Sequence, residues 1–215
     1  MSALFPQWTN TLARLSLLGV AGGLATLVAL PMLWVRSPLF SGRHQPVTQP
    51  LEFDHRHHVS DDGIDCRYCH DGVDRSSSAG YPATSLCMNC HSQVWNKSPM
   101  LDPIRASFFT NRPIPWRRVN RLPDFVYFNH SIHIAKGVGC VTCHGRVDQM
   151  PAVAQAAPLT MSWCIDCHRS PEARLRPREH ITDMTWTTPD PVATGRALAR
   201  QYQVHTRVSC TACHR

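Results

Sequence analysis

Aromatic side chains are scarce in this chain, at 8% of 215 residues, while proline, with 17 residues, is abundant. Neither is usual for a protein whose length allows one or two small domains. No basic helix and no basic–aromatic run accompanies the net charge of +7, so the excess of Lys and Arg does not read as a nucleic-acid surface. Residues 15–35 carry no charge at all. No cysteine is left over when the ten are sorted by spacing, so an odd reactive thiol is excluded. What the chain has in excess is cysteine and histidine, ten and thirteen, far more than a core needs.

The cysteines form five C-x-x-C pairs: Cys66/Cys69, Cys87/Cys90, Cys140/Cys143, Cys164/Cys167 and Cys210/Cys213. Each pair is followed at once by a histidine: His70, His91, His144, His168 and His214. C-x-x-C-H is the attachment signature of c-type haem. The two thiols add to the haem vinyl groups as thioethers, and the histidine beneath the ring supplies the proximal nitrogen to iron. Structural zinc uses four ligands, commonly from two such pairs, so five pairs would strand one. Neither zinc nor a disulfide framework calls for a histidine after every second cysteine. The expected cofactors are therefore five haem c groups, covalently bound. Each oxidised haem with two ionised propionates adds about −1, which nearly cancels the formal charge. Much of the arginine is then expected to pair with propionates.

The uncharged run Leu15–Val35 (LSLLGVAGGLATLVALPMLWV) is long enough to cross a hydrocarbon layer of ~30 Å. Trp34 sits where an interfacial aromatic belongs, and Pro31 lies near one end. The run exceeds the usual apolar core of a cleaved leader, so a retained single-pass anchor is expected. Gly19 and Gly23 form a GxxxG pattern, as compatible with a helix-packing face as with the ordinary glycine content of membrane helices. Flanking arginines do not orient the helix: Arg14 lies on one side, Arg36 and Arg43 on the other. Haem attachment in bacteria takes place outside the cytoplasm. The expected location is the bacterial inner membrane, with the C-terminal haem region on the periplasmic side.

Eight histidines lie outside the motifs, at 44, 55, 57, 58, 130, 133, 180 and 205. Low-spin haems need a second axial ligand, and the chain offers these in a pattern. Phe53-Asp54-His55-Arg56-His57-His58 and Phe128-Asn129-His130-Ser131-Ile132-His133 share F-x-H-x-x-H. From the last histidine, the next motif begins eight residues on in one copy and seven in the other, and a second motif follows 21 or 24 residues later. Order and spacing repeat together, which marks an internal duplication of di-haem units. Histidines three apart on a helical turn point in similar but distinct directions, so each can reach a different haem. His55, His58, His130 and His133 are thus expected as distal iron ligands. The phenylalanine is expected on a porphyrin face, and His57 in contact with solvent or a propionate. For the fifth haem His205 and Met184 stand as alternatives, with His180, Met150 and Met161 as rivals. A methionine ligand would raise the potential of that haem.

The expected organisation is an anchor over 1–36, a stalk over 37–52, a first di-haem unit over 53–97 and a Pro/Arg-rich connector over 98–127. A second di-haem unit follows over 128–170, then a C-terminal segment over 171–215 carrying the fifth motif. Helices are expected around Leu101–Phe109 and Thr194–Tyr202. The expected fold class is a mostly irregular and α-helical multihaem cytochrome c, with class III-like di-haem repeats, one transmembrane helix and little β structure.

With these motifs, the chain from about Phe53 onward resembles the pentahaem membrane-anchored subunit of alternative complex III, a quinol:electron-acceptor oxidoreductase. The resemblance rests on GIDCRYCH (63–70), CMNCHSQVW (87–95), LPDFVYFNHSIH (122–133), KGVGCVTCHG (136–145) and MSWCIDCHR (161–169). The F-x-H-x-x-H segments are also similar to class III multihaem cytochromes. The resemblance implies an iron–sulfur subunit and quinol-binding integral membrane subunits as partners. A periplasmic cytochrome c, copper protein or oxidase is implied as acceptor, in a respiratory or photosynthetic chain. It also implies an electron-transfer subunit that is not catalytic alone. The alternative is an anchored multihaem quinol dehydrogenase with its own quinol site. A reductase would need an open iron position, and no C-x-x-C-K motif marks one.

Overall fold

The computed structural model describes residues 5–6 and 8–214. The first residues of the expected anchor (1–4 and 7) and Arg215 of the C-terminal segment lie outside the described residues. The chain divides into two compact units, one ending at Arg43 and the other running from His44 to the C-terminus.

The first unit is an apolar helix and a short second turn. Helix α1 spans Trp8–Arg36, longer than the uncharged run because the chain from Trp8 to Arg14 continues the same helix. Its best 18-residue window has a mean hydropathy of 1.9, and it buries none of its residues against the protein. At ~1.5 Å per residue it is long enough to span a bilayer. A helix with an uncharged, uncovered run from Leu15 to Val35 needs apolar surroundings that the described chain does not supply. The helix passes through Pro31 and stops at Ser37. That serine caps α2 (Pro38–Ser41), which is closed by Gly42 in the left-handed region.

The second unit is a chain of short helices joined by irregular backbone. In order these are a π-helical turn at Arg56–Asp61, α3 (Cys66–Cys69), α4 (Thr84–His91), α5 (Asp102–Thr110), α6 (His130–Ala135), α7 (Val141–His144), α8 (Met161–Arg169) and α9 (Pro191–Gln201). Single 3-10 turns punctuate the run, the last at Cys210–Ala212. Among the described residues β pairing amounts to two isolated bridges, Pro46 with Ala154 and Val138 with Leu175. Local chemistry sets the boundaries. Asp190 accepts from the Ala193 N–H and Pro191 opens the first turn, so α9 begins three residues ahead of the expected Thr194. Helix α5 follows a 3-10 turn at Pro99–Leu101 and ends at Asn111, φ 53°. The stalk expected over 37–52 differs in its second half: His44 N–H donates to Gln155 O at 2.9 Å and Val47 N–H to Val153 O at 3.2 Å. These backbone groups find partners in the haem-motif unit instead of water.

Apolar burial is thin. One cluster gathers Leu51, Leu101 and Ile104 beneath Cys87, Met88, Ile114 and Trp116. Another gathers Leu175, Leu198 and Tyr202 with Val138, Ala199 and Val204. Among the described residues ten hydrophobic side chains are buried. A protein-only core for a unit of this length would need many more. Where the chain does pack, it packs tightly: a Cβ on Gly195 of α9 would overlap the carbonyl oxygen of Glu172.

Candidate haem centres

Four of the five C-x-x-C pairs lie on α3, α4, α7 and α8 or at their edges, and the fifth starts the 3-10 turn at Cys210. One helical turn brings the two sulfurs to one side and presents the next histidine beyond them. All ten thiols are unpaired, so no disulfide framework holds the unit together. No group of three or more Cys, His, Asp or Glu is gathered as a metal-ion cage among the described residues.

Two of the ten expected haem-binding thiols differ from the rest in exposure. Cys90 and Cys210 are exposed, while the other eight are half-buried. The contrast is sharpest within motif 2. Cys87 packs against the Leu51–Leu101–Ile104 cluster, whereas Cys90, at the next turn of α4, is exposed to solvent. The cause is the direction of the helix: α4 turns its Cys87 and Met88 side to that cluster, and the turn carrying Cys90 and His91 runs past it. The expectation that Cys90 and Cys210 bind haem thus rests on the spacing of their motifs, and burial by protein adds nothing to it.

The histidine rings meet across gaps. His58 faces His91 with ring centroids 6.1 Å apart, His130 faces His144 at 6.4 Å, and His133 faces His168 at 6.0 Å. A metal held between two imidazoles, with bonds of about 2 Å on each side, separates the ring centres by about 6 Å. His55 and His70 form the fourth neighbouring pair, the charge of His70 disfavouring a proton on His55. The pairing follows one rule in both copies: the first histidine meets the first following motif, and the second histidine meets the second. Phe53 and Phe128 pack on the histidine pairs of their own segments. Each is edge-on to its first histidine, at 4.7 Å in both copies, and stacked on its second, at 4.4 and 4.5 Å.

The second ring nitrogen is held in eight of these nine imidazoles. Nδ1 of His70 meets Gly80 O at 2.9 Å, His91 meets Val94 O at 3.1 Å, His168 meets Arg207 O at 3.0 Å and His214 meets Phe125 O at 2.9 Å. His58 meets Asp54 O at 3.0 Å, His130 meets Ser77 O at 2.8 Å and His133 meets Asn129 O at 2.7 Å. The amide of Asn120 lies 3.1 Å from Nδ1 of His144. Against a carbonyl, Nδ1 carries the hydrogen and donates, which leaves Nε2 as the free lone pair, the arrangement of metal-ligating histidines. His55 is the exception, with a buried Nδ1 that has no hydrogen-bond partner. Burial, followed by neighbouring histidines, pushes His55 and His144 down to about 4, and burial lowers His133 as well. Such rings are neutral at physiological pH, the form that binds metal.

These features fit haem c: thiols in spaced pairs, facing imidazoles and oriented lone pairs. The residues that would hold it are the ten cysteines, the five motif histidines, and His55, His58, His130 and His133 on the opposite faces. The sulfurs further place the motifs in a row. Cys69 neighbours Cys87, linking motifs 1 and 2. Cys66 shares a hydrogen bond with Cys140, which raises the Cys66 thiol and links motifs 1 and 3. Burial, followed by Cys167 and Cys164, pushes Cys143 up to about 11 and links motifs 3 and 4. Cys164 neighbours Cys213, linking motifs 4 and 5. The order in space is 2–1–3–4–5. The two exposed thiols, Cys90 and Cys210, belong to the motifs at its two ends.

Other expected site residues are placed apart from this pattern. His57 stacks on Trp95 at 5.9 Å and lies 3.5 Å from Asp61 and 3.7 Å from Asp62. His180 stacks on Trp186 at 5.8 Å and lies 3.5 Å from Asp183. Met184 is buried, three residues beyond Ile181, whose carbonyl accepts from Cys140 N–H beside motif 3. His205 is exposed. Sequence reasoning missed Asn120 and the carbonyls of Gly80, Ser77 and Phe125. Backbone acceptors carry no residue signature, and only Asn120 had a readable side chain.

Residues 126–215 match the family model described as cytochrome c7 and related cytochrome c. The match covers the second F-x-H-x-x-H segment and motifs 3 to 5. Those residues are thus similar to multihaem cytochromes c. The chain is similar to the protein named menaquinone reductase, multiheme cytochrome c subunit, of Nitratidesulfovibrio vulgaris (strain Hildenborough), with 34% identity over 121 residues. That similarity covers 55% of this chain and 55% of the relative, so the chain spans about half the length of the curated relative it matches. Cytochromes c hold haem covalently, and the five C-x-x-C-H motifs are consistent with about five haems.

Proposed function

We propose that this chain is the pentahaem, membrane-anchored electron-relay subunit of a quinol:acceptor oxidoreductase of the alternative complex III type. The observation that carries the reading is the unbroken row of neighbouring motif sulfurs, from Cys87/Cys90 through motifs 1, 3 and 4 to Cys213. Bound haem c supplies one-electron chemistry at each motif. The chain's own work is placement. Two di-haem units, 53–97 and 128–170, are joined by the connector 98–127 and extended by 171–215. The facing histidines at motifs 1 to 4 would hold iron from both sides and leave no open position, which favours relay over substrate binding at iron. Carbonyl-held Nδ1 atoms fix each ring's orientation. Helix α1 anchors the unit in the inner membrane, with the haem unit on the periplasmic side. The partners are an iron–sulfur subunit and quinol-binding integral membrane subunits, and the acceptor is a periplasmic cytochrome c, a copper protein or an oxidase. The similarity to a cytochrome subunit named for menaquinone reduction supports coupling to a membrane quinone pool.

The test is recovery of the full-length chain from its native membrane in mild detergent, with pyridine haemochrome and subunit identification. Five haems per chain and a co-purifying iron–sulfur subunit are expected. A solitary chain that oxidises quinol by itself would overturn the reading in favour of an anchored quinol dehydrogenase.

A further inference from the structure

We propose that His44 is the second axial ligand at the fifth motif, on the haem face opposite His214. The inference rests on haem being bound at Cys210 and Cys213, as in the function proposed above.

The local architecture converges on that motif. His44 is the first residue of the haem-motif unit, and its N–H is fixed to Gln155 O at 2.9 Å. The Pro46–Ala154 bridge continues this pairing. Gln155 is itself buried, and its Oε1 accepts from Arg121 N–H at 3.5 Å. The segment starting at Arg121 then runs directly to the fifth motif. Phe125 O receives the Nδ1 hydrogen of His214 at 2.9 Å, and Tyr127 N–H donates to Cys213 O at 2.8 Å. These links lead from His44 past Asn120, whose amide lies on His144 of motif 3, and on along the chain to the proximal side of motif 5. His44 has φ 61° and Phe125 has φ 64°, a conformation that residues with a side chain adopt at a cost. Left-handed backbone at both ends of this path is the kind of strain that functional placement retains.

The remaining histidines point the same way. His55, His58, His130 and His133 face motifs 1 to 4. His57 is held by Trp95 and two aspartates, and His180 by Trp186 and Asp183 beside motif 3. His205 is the rival. In the two repeats, the histidine that faces the following motif stands eleven or ten residues before its first cysteine, behind a phenylalanine that lies edge-on to it. His205 stands five residues before Cys210 and has no such phenylalanine; it is exposed, as is His44. Met184 is buried near Ile181 on the motif 3 side.

The experiment uses the full-length, haem-loaded protein in detergent. The unmodified chain should show five haems by haemochrome and no high-spin ferric signal by electron paramagnetic resonance. In His44→Ala the haem count should stay at five while one of the five becomes high-spin. In His44→Met one low-spin centre should gain the near-infrared band of sulfur-ligated ferric haem. His205→Ala should leave all five low-spin. A high-spin signal caused by His205→Ala but not by His44→Ala overturns the assignment, as does His44→Met without a sulfur–iron band. A high-spin centre already present in the unmodified chain overturns it too, because no sixth ligand would then exist. A haemochrome count below five in the unmodified chain is a separate result, against the pentahaem reading itself.

Discussion

The two F-x-H-x-x-H copies match in their rings and differ in what surrounds them. The facing pairs His58–His91 and His133–His168 have interplanar angles of 66° and 64°, although the first copy winds as a π-helical turn and the second as an α-helix. Ring placement is therefore set within the motif, by the phenylalanine stack and the hydrogen bond back to the residue before the first histidine. The surroundings come from afar. In the second copy Ser77 O accepts from both His130 N–H and Nδ1, and Ser76 O accepts from Ser131 N–H. The second copy thus leans on a loop of the first, whereas the matching Nδ1 of His55 is buried without a partner. The local geometry is shared, and each copy finds its own support.

The largest expected difference between the copies lies in the row of motifs. The second motif of the first copy, at Cys87/Cys90, ends the row, while that of the second copy, at Cys164/Cys167, lies inside it. Exposure follows the same division: Cys90 is exposed, and its counterpart Cys167 is half-buried. Replacing either cysteine pair by serine should lower the haemochrome count from five to four. After flash photoreduction, the Cys164→Ser/Cys167→Ser variant should leave the fifth centre equilibrating with the others orders of magnitude more slowly. The Cys87→Ser/Cys90→Ser variant should leave the remaining four equilibrating at their original rate. Unchanged equilibration in the motif 4 variant would break the proposed order.

A smaller effect is expected where the copies touch. Ser60, on the π-helical turn, donates to Asp148 O at 2.8 Å, and Gln149 Nε2 donates to Ser60 Oγ at 2.9 Å. Asp148 has a side chain 7% exposed and takes two hydrogen bonds from Arg146, at 2.8 and 2.7 Å. Charge-assisted bonds to a buried carboxylate support Asp148→Asn costing about 1–3 kcal/mol in denaturant unfolding of the loaded protein. The Arg146 bond holds the Asp148 carboxyl below its ordinary value. Its contribution is then complete above that value and is lost as pH falls through the lowered one. A midpoint unmoved by the substitution would mean that the Arg146–Asp148 bond adds nothing to folding.

How much of this was readable in advance follows from where the information sits. The sheet-poor, helical character was legible, because ten cysteines and 17 prolines leave little room for anything else. The repeat was legible because iron ligation demands given side chains at given spacings. Which ring faces which was not, since His58 meets His91 only through the fold of the intervening chain. The order of motifs was hidden for the same reason: Cys66 and Cys140 are neighbours across two separate helices. So was the exposure of Cys90, because the spacing that marks a motif is the same at the end of a row as inside it. The start of α9 at Pro191 carried a local signal in Asp190-Pro191 that the apolar pattern alone overlooked. The fifth site lacks a repeat copy, so no second instance existed to compare it with.

The smallest difference is a charge. Asp54 of the first copy accepts from Arg56 at 3.1 and 2.7 Å, while the second copy has Asn129 and Ser131 at these places, joined by a neutral bond of 2.7 Å. The side-chain bond from Arg56 is the main cause that pushes Asp54 down to about 2 from an ordinary 3.8. A depressed carboxyl pKa stabilises the folded state above the ordinary value, and that contribution disappears as pH falls from about 4 to about 2. Both side chains are solvent-exposed, so the effect is small and screened by salt. Arg56→Ser gives the first copy the second copy's residue and should return Asp54 toward its ordinary range. Acid titration followed by the Soret band should then separate the variant from the original only inside that window, with the curves coinciding above about pH 5. Divergence at neutral pH would mean that Arg56 acts through something other than Asp54, with a haem propionate as the first group to examine.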